Sequence, residues 1–507
     1  MNHEDLCTGN IITLTEVLDA RENRAALQKE MLDSLPPENS ALICLTLNIV
    51  GPVKVFPYTI PAYETGLAMI RECLLLLGAD ITAFREIREN TGYEAFFAVT
   101  APSACDISFS ASGLCSPRIN FAGFPSICKY QLTLLEESHP LGRLMDMDVL
   151  GPTGEKVSRT ELGFSERTCL LCGNPAFLCG RSRTHTASEL VTREIRIIRD
   201  FFTERFSNHV GLLMQKALLY EVNTTLKPGL VDRVHNGSHR DMNHRSFVDS
   251  AYGLTPYFIQ VTRMGMEFAL NQKSGADSRM LSELFSSIRP LGMEAEKTMR
   301  QVAGANTHKG MIFSGGILCC ALGYDMVSSP GKLPFSLRYT NPHEYFPRLQ
   351  YIIRQMLTHL MDDYTALDSA HASSHGEHLY LKYKVKGIRG EAMEGFPALF
   401  DMGFPLFTRL LAHGFSLNQS GCILLLHYMA KTEDSNIIAR SSYEKARQIR
   451  SELERFLKDS DYEEQMSILP ALDAYFIREN ISPGGSADML ALTYFLYFMS
   501  VLPCKWD

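Results

Sequence analysis

The run SHPLGRLMDMDVL, residues 138–150, sets Asp146 and Asp148 two positions apart among apolar neighbours. Alternate residues of a strand face the same side, so both carboxylates would point into one space. Such a pair suits a Mg²⁺ ion carrying substrate phosphate, because this ion takes one or two carboxylates and fills its shell with phosphate oxygens and water. A cation there stabilises charge developing at phosphorus and on a pyrophosphate leaving group. The plainer alternative is a surface turn with two solvated acids. Further on, RTCLLCGNPAFLCGRSRTH (167–185) gives Cys169 and Cys172 the spacing of a zinc knuckle, with Cys179 and His185 as further ligands. The second half has no regular metal-binding repeat, and a competing reading has Arg181, Arg183 and His185 grip an anion through hydrogen bonds.

Polar clusters in Gly-rich joints follow. Residues 220–242 crowd Glu221, Lys227, Asp232, His239 and Asp241 around a Lys-Pro-Gly turn. GANTHKG (304–310) opens a helix whose first N–H groups, with His308 and Lys309, suit a phosphate. GIRGEAMEGFP (387–397) carries Arg389 and Glu391, TEDSN (432–436) carries Asp434 and Asn436, and SPGGSAD (482–488) carries Asp488. Helix caps and turns explain any one of these. Five clusters that mix acids with Gly, Lys or Asn are more than caps require, and they suit connections that converge on a polyphosphate and its metal ions.

The elements that must position these groups change character along the chain. Short apolar runs bounded by Gly and Pro, such as 41–49 and 94–100, predict buried strands. Stretches of 3.6-residue periodicity at 195–222, 281–302, 344–367 and 443–456 predict amphipathic helices. The spacing predicts an α+β (α/β) domain over residues 1–190 and a mostly α-helical domain over residues 191–507. Residues 101–126, rich in Ser, Pro, Gly and Cys, predict a loop or insertion.

The 507 residues, 45% hydrophobic and 21% charged, can bury a sizeable core. The net charge of −8, all of it within residues 1–190, argues against duplex nucleic acid held by bulk charge. The apolar stretch 489–502 is short of a membrane span and no cationic leader opens the chain, so a cytoplasmic protein with reduced thiols is expected. The sequence lacks G-x-x-x-x-G-K-[ST], G-x-G-x-x-G after a strand, and G-x-S-x-G. A P-loop ATPase, a common dinucleotide oxidoreductase and a serine hydrolase therefore lose ground.

The 220–242 stretch with GANTHKGMIFSGGIL, GIRGEAMEGFP, EDSNIIAR and ENISPGGSADMLALTYFL resembles the triphosphoribosyl-dephospho-CoA synthase family over roughly residues 200–507. LTLNIVGPVK, TGYEAFFAV, HPLGRLMDMDVL and CLLCGNPAFLCGRSRTH resemble the holo-citrate lyase acyl-carrier-protein synthase over about residues 10–190. Together they resemble the fused maker of the citrate lyase prosthetic group. The resemblance implies that the 2′-hydroxyl of 3′-dephospho-CoA attacks C1′ of ATP and expels adenine. A serine of the citrate lyase acyl carrier protein (the γ subunit) then attacks the α-phosphate of that product and releases diphosphate. It also implies a nucleotidyltransferase-like first domain, which suits the Asp146/Asp148 pair.

Roles can then be assigned as expectations. Lys227, His308, Lys309, Arg389 and Asn436 hold phosphates or substrate. Asp232, Asp241, Asp434 and Asp488 hold Mg²⁺ or its waters, with Asp232 and Asp434 also catalytic candidates. Glu221 or Glu391 activates the attacking hydroxyl. In the first domain Lys54, Arg143, Arg181 and Arg183 hold phosphates beside Asp146 and Asp148. No nucleic-acid or membrane partner is expected. The related malonate decarboxylase system uses the same precursor, but HPLGRLMDMDVL sides with citrate lyase. A non-catalytic nucleotide-binding scaffold would place its charges along helix faces, not in Gly-rich joints. The acidic first domain needs a local basic patch to dock an acidic carrier protein.

Overall fold

The computed structural model describes residues 10–56, 59–101, 121, 123–271, 278–328, 342–360 and 375–502. The chain divides into two compact units, one ending at Thr203 and the other running from Glu204 to Cys504.

The first unit is built on a four-stranded antiparallel sheet in the order β2-β3-β1-β4. Its elements are α1 (Leu14–Asp33), β1 (Ser40–Leu47), α2 (Thr59–Leu76), β2 (Asp80–Glu89), β3 (Gly92–Thr100), α3 (Phe124–Ser138), β4 (Met145–Leu150) and α4 (Ala176–Ser182). Every pairing is antiparallel, so the α+β half of the expectation holds and the α/β half does not. β1 and β3 occupy the centre and are nearly continuous in buried residues, whereas β2 at one edge is mostly exposed. α1 packs Leu27, Met31 and Leu32 against Leu42, Cys44, Phe96 and Ala98 on one face. α2 approaches Leu45 and Met145 on the other, with no side chain at Gly66 to separate them.

β4 is the opposite edge, and its outward backbone is capped, not left open. Glu136 on α3 accepts from Met147 N–H at 2.8 Å, and the buried Lys129 ammonium donates to Met147 C=O at 2.7 Å. An edge strand satisfied in this way offers no template to another chain. The stretch expected to be loop up to residue 126 falls largely outside the described residues, and α3 already begins at Phe124, after Gly123 and with Pro125 in its first turn. Predicted strands 41–49 and 94–100 appear as β1 and β3.

A second polar burial shapes this unit. Glu194, on helix α5 (Ala187–Asn223), accepts from Val50 N–H at 3.0 Å, while its other oxygen has no partner. Burial raises its carboxyl to about 7, against the pull of the Val50 hydrogen bond and of Lys54. The folded value lies above the free one of 4.5, so the stabilisation is complete only below pH 4.5 and is lost as pH rises from there through 7. The loss is worth up to about 3 kcal/mol. Glu194→Gln keeps the Val50 bond and removes the titration. Melting curves should show the variant equal to the parent below pH 4.5 and higher-melting at pH 8.

The second unit is helical: the end of α5, then α6 (His244–Leu270), α7 (Ser278–Ala303), α8 (Lys309–Ser328), α9 (Pro342–Met356), α10 (Gly387–Met393), α11 (Leu417–Lys431), α12 (Ser435–Arg440), α13 (Tyr443–Asp459) and α14 (Gly484–Val501), with further helices of ten residues or fewer between them. The helix predicted over 344–367 is described as far as Met356; residues 361–374 lie outside the described set. α8 and α14 are apolar all round and buried, the mark of central helices. Among the described residues α8 alone is long and apolar enough to cross a membrane, and most of it is packed inside this unit. It crosses α6 at backbone distance: a Cβ at Gly265 would overlap Cys320 C=O, and one at Gly323 would overlap Thr262 C=O.

Candidate functional site

Three helix ends meet in the second unit. α5 delivers Glu221, α8 opens with His308, Lys309 and Gly310, and α14 opens with Gly484 to Asp488. The chain between α5 and α6 closes over them and is pinned from outside. Gly229 N–H donates to Asp473 at 2.9 Å, Ser238 Oγ donates to Ile481 C=O at 2.6 Å, and Thr224 Oγ1 meets Tyr494 Oη at 2.7 Å. The enclosed cavity has a volume of about 280 Å³.

Seven residues given roles from the sequence line it: Glu221, Lys227, Asp241, His308, Lys309, Asn436 and Asp488. Their environments differ. Glu221 and Lys227 form an ion pair buried on both sides. Burial raises the Glu221 carboxyl, and Lys227 offsets only part of the effect. His308 is buried, with Nδ1 2.8 Å from Ser250 Oγ, and its Nε2 has no partner. Burial, and secondarily Lys227, lowers His308 to about 3, so the ring is neutral at physiological pH. Asp241, Lys309 and Asn436 are exposed at the mouth, where Lys309 also pairs with Glu296 at 3.2 Å.

Asp488 is the unbalanced member. It has no ion-pair partner among the described residues, and its carboxyl is raised well above the usual range by burial first, then by Glu221 and Asp434. Its carboxylate lies against the Gly310 Cα, where a Cβ would overlap it. Alanine for glycine inside a helix normally stabilises by about 0.5–1 kcal/mol. Gly310→Ala is expected to do the reverse, at an overpacking cost of about 1–3 kcal/mol, and a thermal shift assay should show a lower melting temperature.

The other predicted acids are occupied elsewhere. Asp232 accepts from Val234 N–H at 2.7 Å and His235 N–H at 3.2 Å, closing a local turn. Asp434 caps α12 through Asn436 N–H at 2.9 Å and accepts from Ser486 N–H at 2.8 Å, which ties α12 to α14. Glu391 accepts from Ala398 N–H at 3.2 Å, and neither it nor Arg389, its neighbour on α10, lines the cavity. The four aspartates expected to share Mg²⁺ therefore do not close into a cage. Among the described residues no acid group of three places its oxygens within 4.8 Å. A Mg²⁺ carried on phosphate needs only one or two carboxylates, and among the described residues Asp488 has no hydrogen-bond donor or cation to satisfy it.

Sequence reasoning did not assign roles to His239, Arg440, Ser482, Asn306 or Thr307, which also line the cavity. Arg440 donates to His239 Nδ1 at 2.9 Å. Since Arg can only donate, His239 Nε2–H donates to Ser482 Oγ at 2.8 Å. Burial, with Arg440 adding to it, lowers His239 to about 4, so this chain of contacts is a neutral imidazole between two elements. The signal for Asn306 and Thr307 was present in GANTHKG, whose polar residues precede α8.

In the first unit β4 buries Met145, Met147 and Val149 and leaves Asp146 and Asp148 half-exposed on one face. Each acid has cationic company. Arg167 stands 3.4 Å from Asp146 and 2.7 Å from Glu136; Lys156 is 2.5 Å from Asp148, with Lys129 at 3.9 Å. Arg159 pairs with Glu137, and Arg143 donates to Thr168 C=O. Burial first, then the neighbouring Arg167, lowers the Arg143 guanidinium. This local basic rim inside an acidic unit came from Lys129, Lys156, Arg159 and Arg167, which the sequence reading passed over. Lys54 donates to Ile49 C=O beside Glu194, Arg181 lies over the Phe177 ring and Arg183 is exposed, so none of the three has a contact with the aspartate pair. Cys169, Cys172, Cys179 and His185, irregular in spacing, nonetheless bring their ligand atoms within 4.8 Å of one another.

Residues 207–505 match the family described as ATP:dephospho-CoA triphosphoribosyl transferase, and residues 12–108 and 121–201 match apo-citrate lyase phosphoribosyl-dephospho-CoA transferase. The Haemophilus influenzae relative named Protein CitXG is 33% identical over 497 residues, covering 96% of each chain. A relative of the same name from Leuconostoc mesenteroides subsp. cremoris is 32% identical, covering 96% of this chain and 97% of its own. A Streptococcus pyogenes protein named as a probable 2-(5''-triphosphoribosyl)-3'-dephosphocoenzyme-A synthase is 33% identical over 59% of this chain and 99% of its own length.

Proposed function

The chain belongs to the family of fused citrate lyase prosthetic-group proteins, a bifunctional transferase acting on dephospho-CoA, and on that premise we propose a division of labour between two sites. The cavity of the helical unit joins ATP to 3′-dephospho-CoA. The 2′-hydroxyl attacks C1′ of the ATP ribose, the N-glycosidic bond breaks, and adenine leaves with its triphosphoribosyl partner retained. The face of β4 then serves the second transfer, in which a carrier-protein serine attacks the α-phosphate and diphosphate departs.

The observation that carries the first assignment is the convergence of Glu221, Lys227, Asp241, His308, Lys309, Asn436 and Asp488 on one cavity. C1′ gains positive character as adenine leaves, so a carboxylate nearby lowers the barrier. Glu221, with a carboxyl raised by burial, is suited to take the proton of the attacking hydroxyl near neutral pH. Lys309 and the N-terminal N–H groups of α8 and α14 favour a polyphosphate. Asp488 and Asp241 would hold a Mg²⁺ that neutralises the triphosphate. His308, held neutral, offers Nε2 to the departing base without adding charge.

Incubation with ATP, Mg²⁺ and 3′-dephospho-CoA should release free adenine. ADP or AMP in its place would overturn this reading, because either product leaves the N-glycosidic bond intact.

A further inference from the structure

We propose that Cys169, Cys172, Cys179 and His185 form a closed structural Zn²⁺ site in the first unit, independent of the transfer chemistry. The three thiols and one imidazole nitrogen lie within 4.8 Å of one another, the only such group of Cys, His, Asp or Glu among the described residues. Cys172 Sγ and Cys179 Sγ are 3.4 Å apart. That is well beyond a disulfide bond of ~2.05 Å. It is near the ~3.8 Å edge of a tetrahedron with Zn–S bonds of ~2.3 Å. Sulfur and imidazole donors suit Zn²⁺, and four ligands leave no open position for substrate.

The backbone is shaped for such a knuckle. Thr168 and Pro175 form a short antiparallel bridge, with Cys169 N–H donating to Asn174 C=O at 2.6 Å. Within that hairpin Leu171 N–H points at Cys169 Sγ from 3.5 Å, a donor that would support a thiolate. Gly173, directly after Cys172, turns the chain at φ +73°, a conformation that side-chain-bearing residues rarely adopt. A separate observation comes from the fourth ligand: His185 Nε2 is shielded from water and has no hydrogen-bond partner. A buried imidazole nitrogen left unpaired is costly unless something binds it.

The metal would join three pieces of chain: the hairpin, α4 with Cys179, and the turn before α5 with His185. Arg167, two residues before Cys169, donates to Met145 C=O at 3.0 Å and contacts Asp146. Zinc would therefore hold the Arg167 backbone steady beside the aspartate pair, a positioning effect and not a catalytic one.

The test is metal analysis of the full-length chain purified without chelators. About one zinc per chain is expected, released in step with titration of three thiols by a mercurial. Cys172→Ser and His185→Ala should each cut retained zinc at least fivefold, and Asp146→Asn should retain it. Should the ligand variants fail to fold, Co²⁺ exchange into the parent protein decides: the visible bands of a tetrahedral thiolate site are expected. Zinc removal should also open the chain to trypsin at Arg167, Arg181 and Arg183. Metal-free protein with a Cys172–Cys179 disulfide or free thiols overturns the proposal, as does zinc retained undiminished in both ligand variants.

Discussion

Asp488→Asn is expected to lower adenine release by about 10²–10³-fold while leaving the melting temperature unchanged or slightly higher at pH 8. The two effects have one origin. The wild-type carboxyl is raised by burial and by the nearby Glu221 and Asp434, so its folded value lies above the free one. Its ionisation costs stability as pH rises, and the amide, equal in size and able to sit against Gly310, abolishes that cost. The charge is nonetheless what a magnesium-bearing triphosphate and a developing oxocarbenium would meet. Loss of activity with retained stability is the signature of a group strained for function. Adenine assays and melting curves on the same preparations check both halves. Unchanged turnover would remove Asp488 from the site, and a large drop in melting temperature would reassign it to structure.

The second large effect concerns β4. Asp146→Asn should reduce labelling of the carrier protein by at least about 10²-fold and leave adenine release within twofold of the parent. Asp146 makes no backbone bond beyond the strand pairing with Thr46, and Arg167 keeps its 2.7 Å contact with Glu136 when the charge is removed. The edge capping by Glu136 and Lys129 is untouched, so the strand stays in place. Pre-formed triphosphoribosyl intermediate supplied with carrier protein isolates this step. If both activities fall together, the assignment of two separate sites fails.

The residues explain why some groups were legible and others were not. MDMDVL states its own register: period-two burial of Met145, Met147 and Val149 leaves Asp146 and Asp148 on one face whatever surrounds the strand. GANTHKG likewise announces the start of α8, because Gly and Asn end the preceding turn and the apolar run follows at once. The acids of the Gly-rich joints carry no such local signature. Asp434 and Asp488 stand in similar sequence settings, yet one is consumed by Asn436 and Ser486 N–H groups and the other faces a cavity with no partner among the described residues. A cap and a ligand use the same residue types, and only the arrival of a second element tells them apart. The division between units shows the same limit. Helical periodicity begins near residue 190, but the chain exchanges one set of contacts for the other only at Thr203, within α5.

Local pattern, then, determined the strands, the long helices and the facing of the aspartate pair, since these depend on periodicities of two and 3.6 residues that neighbours cannot alter. Tertiary structure alone decided which distant charges meet. The Asp434–Ser486 tie between α12 and α14 and the Asp488–Gly310 apposition across 178 positions arise from chain closure, as does the convergence of three thiols with His185. Coulombic and hydrogen-bonding energies fall off over a few ångströms of space, and residue number does not record that distance.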